Sequence, residues 1–151
     1  MFDKILVVCV GNICRSPTAE HMLRARLPHK HVRSAGLATE KSGLAGNGID
    51  AQAKSIAAQH GLMIEDHVAT QISNDLVKWA DLVLVMEQGH REQLARMYPE
   101  ARGKTLLLGN WLGAKHEAKD IPDPYRKSDE AFIFVYELLE AAVDSWVNKL
   151  N

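Results

Sequence analysis

Apolar residues in this chain alternate between short unbroken runs and stretches in which they recur every three or four positions. Ile5-Leu6-Val7-Val8 is such a run, rich in β-branched residues, the pattern of a strand buried on both faces. Leu82 to Met86 repeats it, and Val32 to Ala35, ended by Gly36, and Thr105 to Leu108 predict two more strands. Ser16-Pro17 opens a helix, with Ser able to cap and Pro suited to the first helical position. Its apolar face is Ala19, Met22, Leu23 and Leu27, and Pro28 stops it. Ile49, Ala53, Ile56 and Ala57 mark a helix closed by His60-Gly61, and a shorter one covers Asn74 to Trp79. Gly89 to Met97 predicts a helix with Leu94 and Met97 inward. At the C-terminus Ser128-Asp129-Glu130 supplies a cap and first-turn acids. Phe132, Val135, Tyr136, Leu139, Val143, Trp146 and Leu150 then recur at helical spacing.

Strands alternating with helices predict an α/β fold: a single domain over residues 1–151, with a four-stranded parallel sheet and helices on both faces. In such sheets ligands sit beyond the carboxyl ends of the strands, near a topological switch point. Two segments read as loops, Leu37 to Gly48 with Gly43, Gly46 and Gly48, and Gly109 to Lys127 with two prolines. Composition changes the picture little: 46% hydrophobic and 25% charged residues are an ordinary globular balance. The formal charge of -1 provides no field for nucleic acid, so anion selectivity must be local. The first apolar run is too short for a secretory segment or a membrane span, which predicts a cytoplasmic protein that does not insert into membranes.

The two cysteines are Cys9 and Cys14. A cysteine ending an apolar run is more often a buried hydrophobe than a nucleophile. The segment after Cys9 reverses that reading: Val10-Gly11-Asn12-Ile13-Cys14-Arg15-Ser16, between a strand and a helix. Cleavage of a phosphate monoester by a thiolate needs an ionised sulfur, several fixed donors for phosphate oxygens, and a planar cation gripping two of them. Loop amides at a helix N-terminus supply the donors. Arg15, after five intervening residues, converges with Cys9 on one point. Gly11 relaxes the backbone where the turn is tight, and Ser16 can donate its hydroxyl to the sulfur.

Cys-x5-Arg alone is a weak pattern. Strand, Cys9-Val10-Gly11-Asn12-Ile13-Cys14-Arg15-Ser16 and a helix-opening Pro17 together closely resemble the phosphate-binding loop of the low-molecular-weight protein tyrosine phosphatases, and the resemblance extends over essentially the whole chain. It implies that family's Rossmann-like fold and hydrolysis of phosphotyrosine through a cysteinyl-phosphate, without metal or organic cofactor. The family's general acid lies in an Asp-Pro-Tyr motif, which matches Asp123-Pro124-Tyr125; Asp120 is a helper or a surface acid. Asn12, Ser34 and His67 match positions that brace the loop, although His67 alone would read as an ordinary core or surface histidine. Cys14 is either a small buried side chain or a partner for a reversible disulfide with Cys9.

The resemblance also implies substrate and partners. Tyr125 and the loop Leu37 to Leu44 would wall a slot deep enough to favour phosphotyrosine over phosphoserine, with Val10, Gly11, Asn12, Ile13, Cys14, Ser16, Leu37 and Tyr125 touching substrate. Family members preferring phosphoarginine tend to carry Thr where this chain has Ile13. Met1-Phe2, the loop, Ser34 to Leu37 and Ile121 to Ser128 look most like bacterial members linked to capsule and exopolysaccharide export, whose partner is a membrane tyrosine autokinase. A monomer is expected. Three positions depart from the pattern: a longer Leu37 to Gly48 loop, Thr70 where arginine is usual, and Arg126 in place of a second tyrosine. The rivals are an arsenate reductase on the same scaffold, which normally needs further cysteines, and a phosphate-binding or redox module, which needs no general acid.

Overall fold

The computed structural model describes residues 2–151, so the resemblance at Met1 lies outside the described residues. Its elements are β1 (Lys4–Cys9), α1 (Arg15–Arg26), β2 (His31–Gly36), α2 (Ala51–Gln59), α3 (Asn74–Trp79), β3 (Leu82–Val85), α4 (Gln88–Met97), β4 (Thr105–Leu107) and α5 (Asp129–Leu150). The strands form one parallel sheet in the order β2-β1-β3-β4. The predicted α/β architecture is the observed one.

The unbroken apolar runs follow from helices on both faces. Side chains alternate across a strand, so Ile5, Val7 and Cys9 join the core under α1, α2 and α5. Leu6 and Val8 point the other way, into the core shared with α3 and α4. Because both faces are dry, neither can carry polar residues. The helical stripe of α5 is buried as its spacing predicts, with Trp146 donating its indole N–H to Leu108 O at 2.8 Å. Ser128 caps this helix by accepting from Ala131 N.

Three local expectations are corrected. Met97 does not face inward but is 39% exposed; Tyr98, four residues after the fully buried Leu94, continues the stripe instead. Ser16 does not cap α1. The helix begins two residues earlier, with Cys14 at the cap position and Arg15 first, and the Ser16 hydroxyl is engaged elsewhere. The second helix starts at Ala51 rather than Ile49, because the Asp50 carboxylate accepts from Gln52 N and Ala53 N and sets the boundary.

Strand order places the site. After β1 the chain builds β2 on one side, then crosses back to build β3 on the other. The carboxyl end of β1 is therefore the switch point where diverging connections leave a crevice, and Cys9 ends that strand. The long connection into α5 is drawn over the crevice by Ile121, whose buried N–H bonds Met86 O at 2.8 Å.

Candidate active site

Leaving β1, the backbone turns sharply around the Cys9 sulfur. Two donors reach it: the Ser16 hydroxyl at 2.9 Å and Asn12 N at 3.3 Å. The Ser16 oxygen already accepts from Asn12 Nδ2 at 2.7 Å, which turns its proton toward the sulfur. Two N–H and O–H groups aimed at one buried sulfur suit a thiolate.

Asn12 holds the turn. It takes a left-handed conformation, φ 60°, which asparagine tolerates better than most residues. Its Nδ2 also donates to Ser34 Oγ at 2.9 Å, its Oδ1 accepts from Thr70 N at 2.9 Å, and its carbonyl accepts from His67 Nε2 at 2.6 Å. Ser34 passes the network on to the buried Glu20 carboxylate at 2.5 Å, which Arg24 neutralises. Burial holds the His67 pKa below its ordinary 6.5, so the ring is neutral with its proton on Nε2. Thr70 contributes its backbone, so replacing the usual arginine leaves that bond to Asn12 intact. Asn12→Ala keeps the unfavourable φ and loses three side-chain hydrogen bonds. It is expected to lower unfolding free energy by roughly 3 kcal/mol, read from urea unfolding.

Two loop assignments change. Asn12 and Ser16 are fully buried beneath the loop and act as braces rather than as side chains touching substrate. Gly11 is not where the turn needs left-handed backbone; a Cβ there would meet only the movable Leu44 Cδ1, at 2.9 Å. The intolerant glycine is Gly36, where a Cβ would lie 2.6 Å from Val10 O.

Arg15 begins α1 directly after the loop and is 2% exposed. Its NH1 donates to Glu87 Oε2 at 2.6 Å and to Ile121 O at 2.8 Å, while NH2 faces Asp123 Oδ2 at 3.8 Å. With one corner of the fork clamped, Nε and NH2 remain free of hydrogen-bond partners among the described residues and can grip two oxygens. His90, buried beside Glu87 with Nε2 at 3.7 Å from Oε2, has its pKa lowered by burial and by Arg15. Asp120 accepts from Gln88 N, which makes it a brace between the acid loop and α4. The Asp123 side chain is 49% exposed; its Oδ1 accepts from Tyr125 N at 3.0 Å, leaving Oδ2 toward the cleft.

Cys9, Val10, Gly11, Ile13, Cys14, Arg15, Asp123 and Tyr125 thus converge on one open cleft of about 320 Å³. Ser34 and His67 stand behind it as braces. Leu37 does not line it. This residue is 4% exposed and packs into the core on the α3 side, because β2 carries it down beneath the loop; Ser42 and Leu44 form that wall. Cys14 is a free thiol, as is Cys9, and burial, followed by the Asp50 charge, pushes its pKa far above the ordinary thiol range. Glu20 and Glu87 are absent from the sequence-derived site. Glu87 had a legible signal, an acid one residue past a buried strand at the switch point; Glu20 had none, being one charge on a helix full of them.

Comparison with known proteins agrees with this geometry. Residues 4–151 match the family described as low molecular weight phosphotyrosine protein phosphatase. The chain is 51% identical to the low molecular weight protein-tyrosine-phosphatase Wzb of Escherichia coli K12, covering 100% of this chain and 97% of that one. It is 45% identical to the probable low molecular weight protein-tyrosine-phosphatase AmsI of Erwinia amylovora, with 100% and 99% covered. The solved structure of Vibrio vulnificus Wzb in complex with benzylphosphonate superposes with a TM-score of 0.94 at 51% identity, covering 99% of each chain. A match over residues 4–151, with full-length relatives at about half identity, shows that the chain belongs to the low molecular weight phosphotyrosine protein phosphatase family.

Proposed function

We propose that this protein hydrolyses phosphotyrosine on proteins through a covalent phosphocysteine at Cys9. The observation that carries the reading is the Cys9 sulfur, held by Ser16 and Asn12, in a residue that lines one cleft together with Arg15 and Asp123. In the first step the Cys9 thiolate attacks phosphorus in line, the P–O bond to the tyrosyl oxygen breaks, and Asp123 gives its proton to that oxygen. Arg15 and the loop amides hold the three non-bridging oxygens throughout. In the second step Asp123, now a base, takes a proton from water, whose oxygen attacks phosphorus and releases phosphate from Cys9. The departing thiolate is received by the Ser16 hydroxyl. No step runs through a metal or organic cofactor.

Tyr125 and Leu44 among the lining residues can flank a phenyl ring, which supports phosphotyrosine over shorter phosphorylated side chains. A relative that holds benzylphosphonate, a phenyl ring joined through one methylene to a phosphonate, supports the same class. Ile13 favours phosphotyrosine over phosphoarginine by the family resemblance. That resemblance also supports a cytoplasmic monomer that reverses a membrane tyrosine autokinase in polysaccharide export. Among the described residues no helix is long and apolar enough to cross a membrane. An arsenate reductase is not favoured, because the two cysteines share one loop and the general acid is present.

Phosphate release from p-nitrophenyl phosphate and from phosphotyrosine and phosphoserine peptides, in excess EDTA, tests the proposal. Turnover of the first two and not the third is expected. Binding of the phosphotyrosine peptide without turnover would replace the enzyme with a phosphate-binding module.

A further inference from the structure

The rim of the cleft carries a cation that the chemistry above does not use. Lys127 N donates to Pro124 O at 2.9 Å, closing a turn over Tyr125 and Arg126. Arg126 occupies its third position at φ 61°. A side chain is crowded against its own carbonyl there, and glycine is the residue free of that crowding. Nothing buried holds an arginine in place, since Arg126 is exposed. It makes no ion pair with a carboxylate among the described residues, whereas Arg15, the other cation lining the cleft, is clamped by Glu87 and Ile121. The guanidinium lies over the Tyr125 ring, 5.1 Å from its centroid. Strain retained at a cleft mouth in favour of an unpaired, pre-placed charge points to a use for that charge.

We propose that Arg126 is a specificity-determining residue that binds a second anionic group of the substrate, a carboxylate or phosphate on a residue near the phosphotyrosine. The preferred substrate is then phosphotyrosine in an acidic or multiply phosphorylated segment, a refinement that rests on the phosphatase reading. Lying over Tyr125, the fork has its N–H edge free for two oxygens of such a group, the geometry that guanidinium matches and ammonium does not. Stacking on the ring restricts the long side chain before binding, which reduces the ordering cost of the contact. Because the pair forms at the surface it is modest in strength and sensitive to salt.

The test measures kcat/KM on three peptides that share one phosphotyrosine: with uncharged neighbours, with glutamates, and with a second phosphotyrosine. Wild type is expected to favour the two anionic peptides over the neutral one by about three- to ten-fold, a ratio that falls toward one at about 0.5 M salt. In Arg126→Gln and Arg126→Gly the ratio falls to near one at low salt. Arg126→Lys keeps part of it, for lack of the fork. Arg126→Gly also relieves the turn, so a thermal midpoint at or above that of wild type is expected and separates lost selectivity from lost folding. A preference for only one anionic peptide identifies which oxygen pair is read. Wild type that turns over all three peptides equally, or an Arg126→Gln variant that keeps the ratio, overturns the inference and leaves the phosphatase standing. No turnover of any peptide by wild type overturns the phosphatase reading, and this inference with it.

Discussion

Cys9→Ser is expected to lower kcat/KM by at least about 10⁴-fold on both p-nitrophenyl phosphate and a phosphotyrosine peptide. The sulfur is the atom on which Ser16 and Asn12 converge at 2.9 and 3.3 Å, and Cys9 lines the same cleft as Arg15. A serine hydroxyl at this place is a far weaker nucleophile, since it is not ionised at neutral pH. The change removes one polarisable atom from a site closed by Asn12, Ser34 and His67, so the loop should keep its shape. Titration with inorganic phosphate should show binding retained within a few-fold. Near-normal turnover by this variant would remove the covalent step from the mechanism. Lost turnover together with lost phosphate binding would mean that the loop had collapsed, which unfolding curves would reveal.

Asp123→Ala gives the second large effect, and its signature is a dependence on the leaving group. On a phosphotyrosine peptide a loss of roughly 10²- to 10³-fold in kcat/KM is expected, the ordinary contribution of a positioned general acid, and kcat/KM leaves out the later step in which Asp123 acts as base on either substrate. On p-nitrophenyl phosphate the loss should be markedly smaller, because p-nitrophenolate is a much weaker base than tyrosyl phenolate and leaves with little help. Only a proton donor produces that difference. A residue that merely shaped the cleft would cost the same on both substrates. Stability should hardly move, as the side chain is 49% exposed and its protein contacts are the Tyr125 N–H and the distant edge of Arg15. Equal losses on the two substrates would transfer the acid role away from Asp123.

Both proposed roles lay within reach of the sequence, though for different reasons. The chemistry is concentrated in segments continuous in sequence, Cys9 to Ser16 and Asp123 to Tyr125. A thiol and an arginine brought to one point by a turn of five residues need no tertiary contact to be recognised. The Asp123 motif was legible through family resemblance, not from spacing, since nothing local tells an Asp-Pro turn from a catalytic acid. What sequence reading misplaced were residues whose position depends on a neighbour distant in the chain. Leu37 follows a strand into a loop and reads as a rim residue, yet Leu37 N bonds Cys9 O and the side chain falls into the α3 core. Ser16 reads both as a helix cap and as a donor to the Cys9 sulfur; the structure keeps the second reading, which takes the hydroxyl away from the first.

Sequence alone determined the parallel sheet with its two buried faces and singled out Cys9 at the end of its first strand. The strand order that makes that end the switch point was decided by the tertiary structure. Hydrophobic periodicity, turn residues and motif spacing are properties of neighbouring positions, and a run such as Ile5 to Val8 leaves a strand no face to expose. Tertiary structure decided how the reactive groups are held. Glu87 reaches Arg15 from the end of β3, Ile121 grips it from the acid loop, and Ser34 from β2 and His67 and Thr70 from the loop before α3 converge on one asparagine, with Glu20 of α1 holding Ser34 in turn. Such contacts join residues up to 106 positions apart, as Arg15 and Ile121 are. Their partners are chosen by packing of the two cores, and no local pattern in the chain encodes that choice.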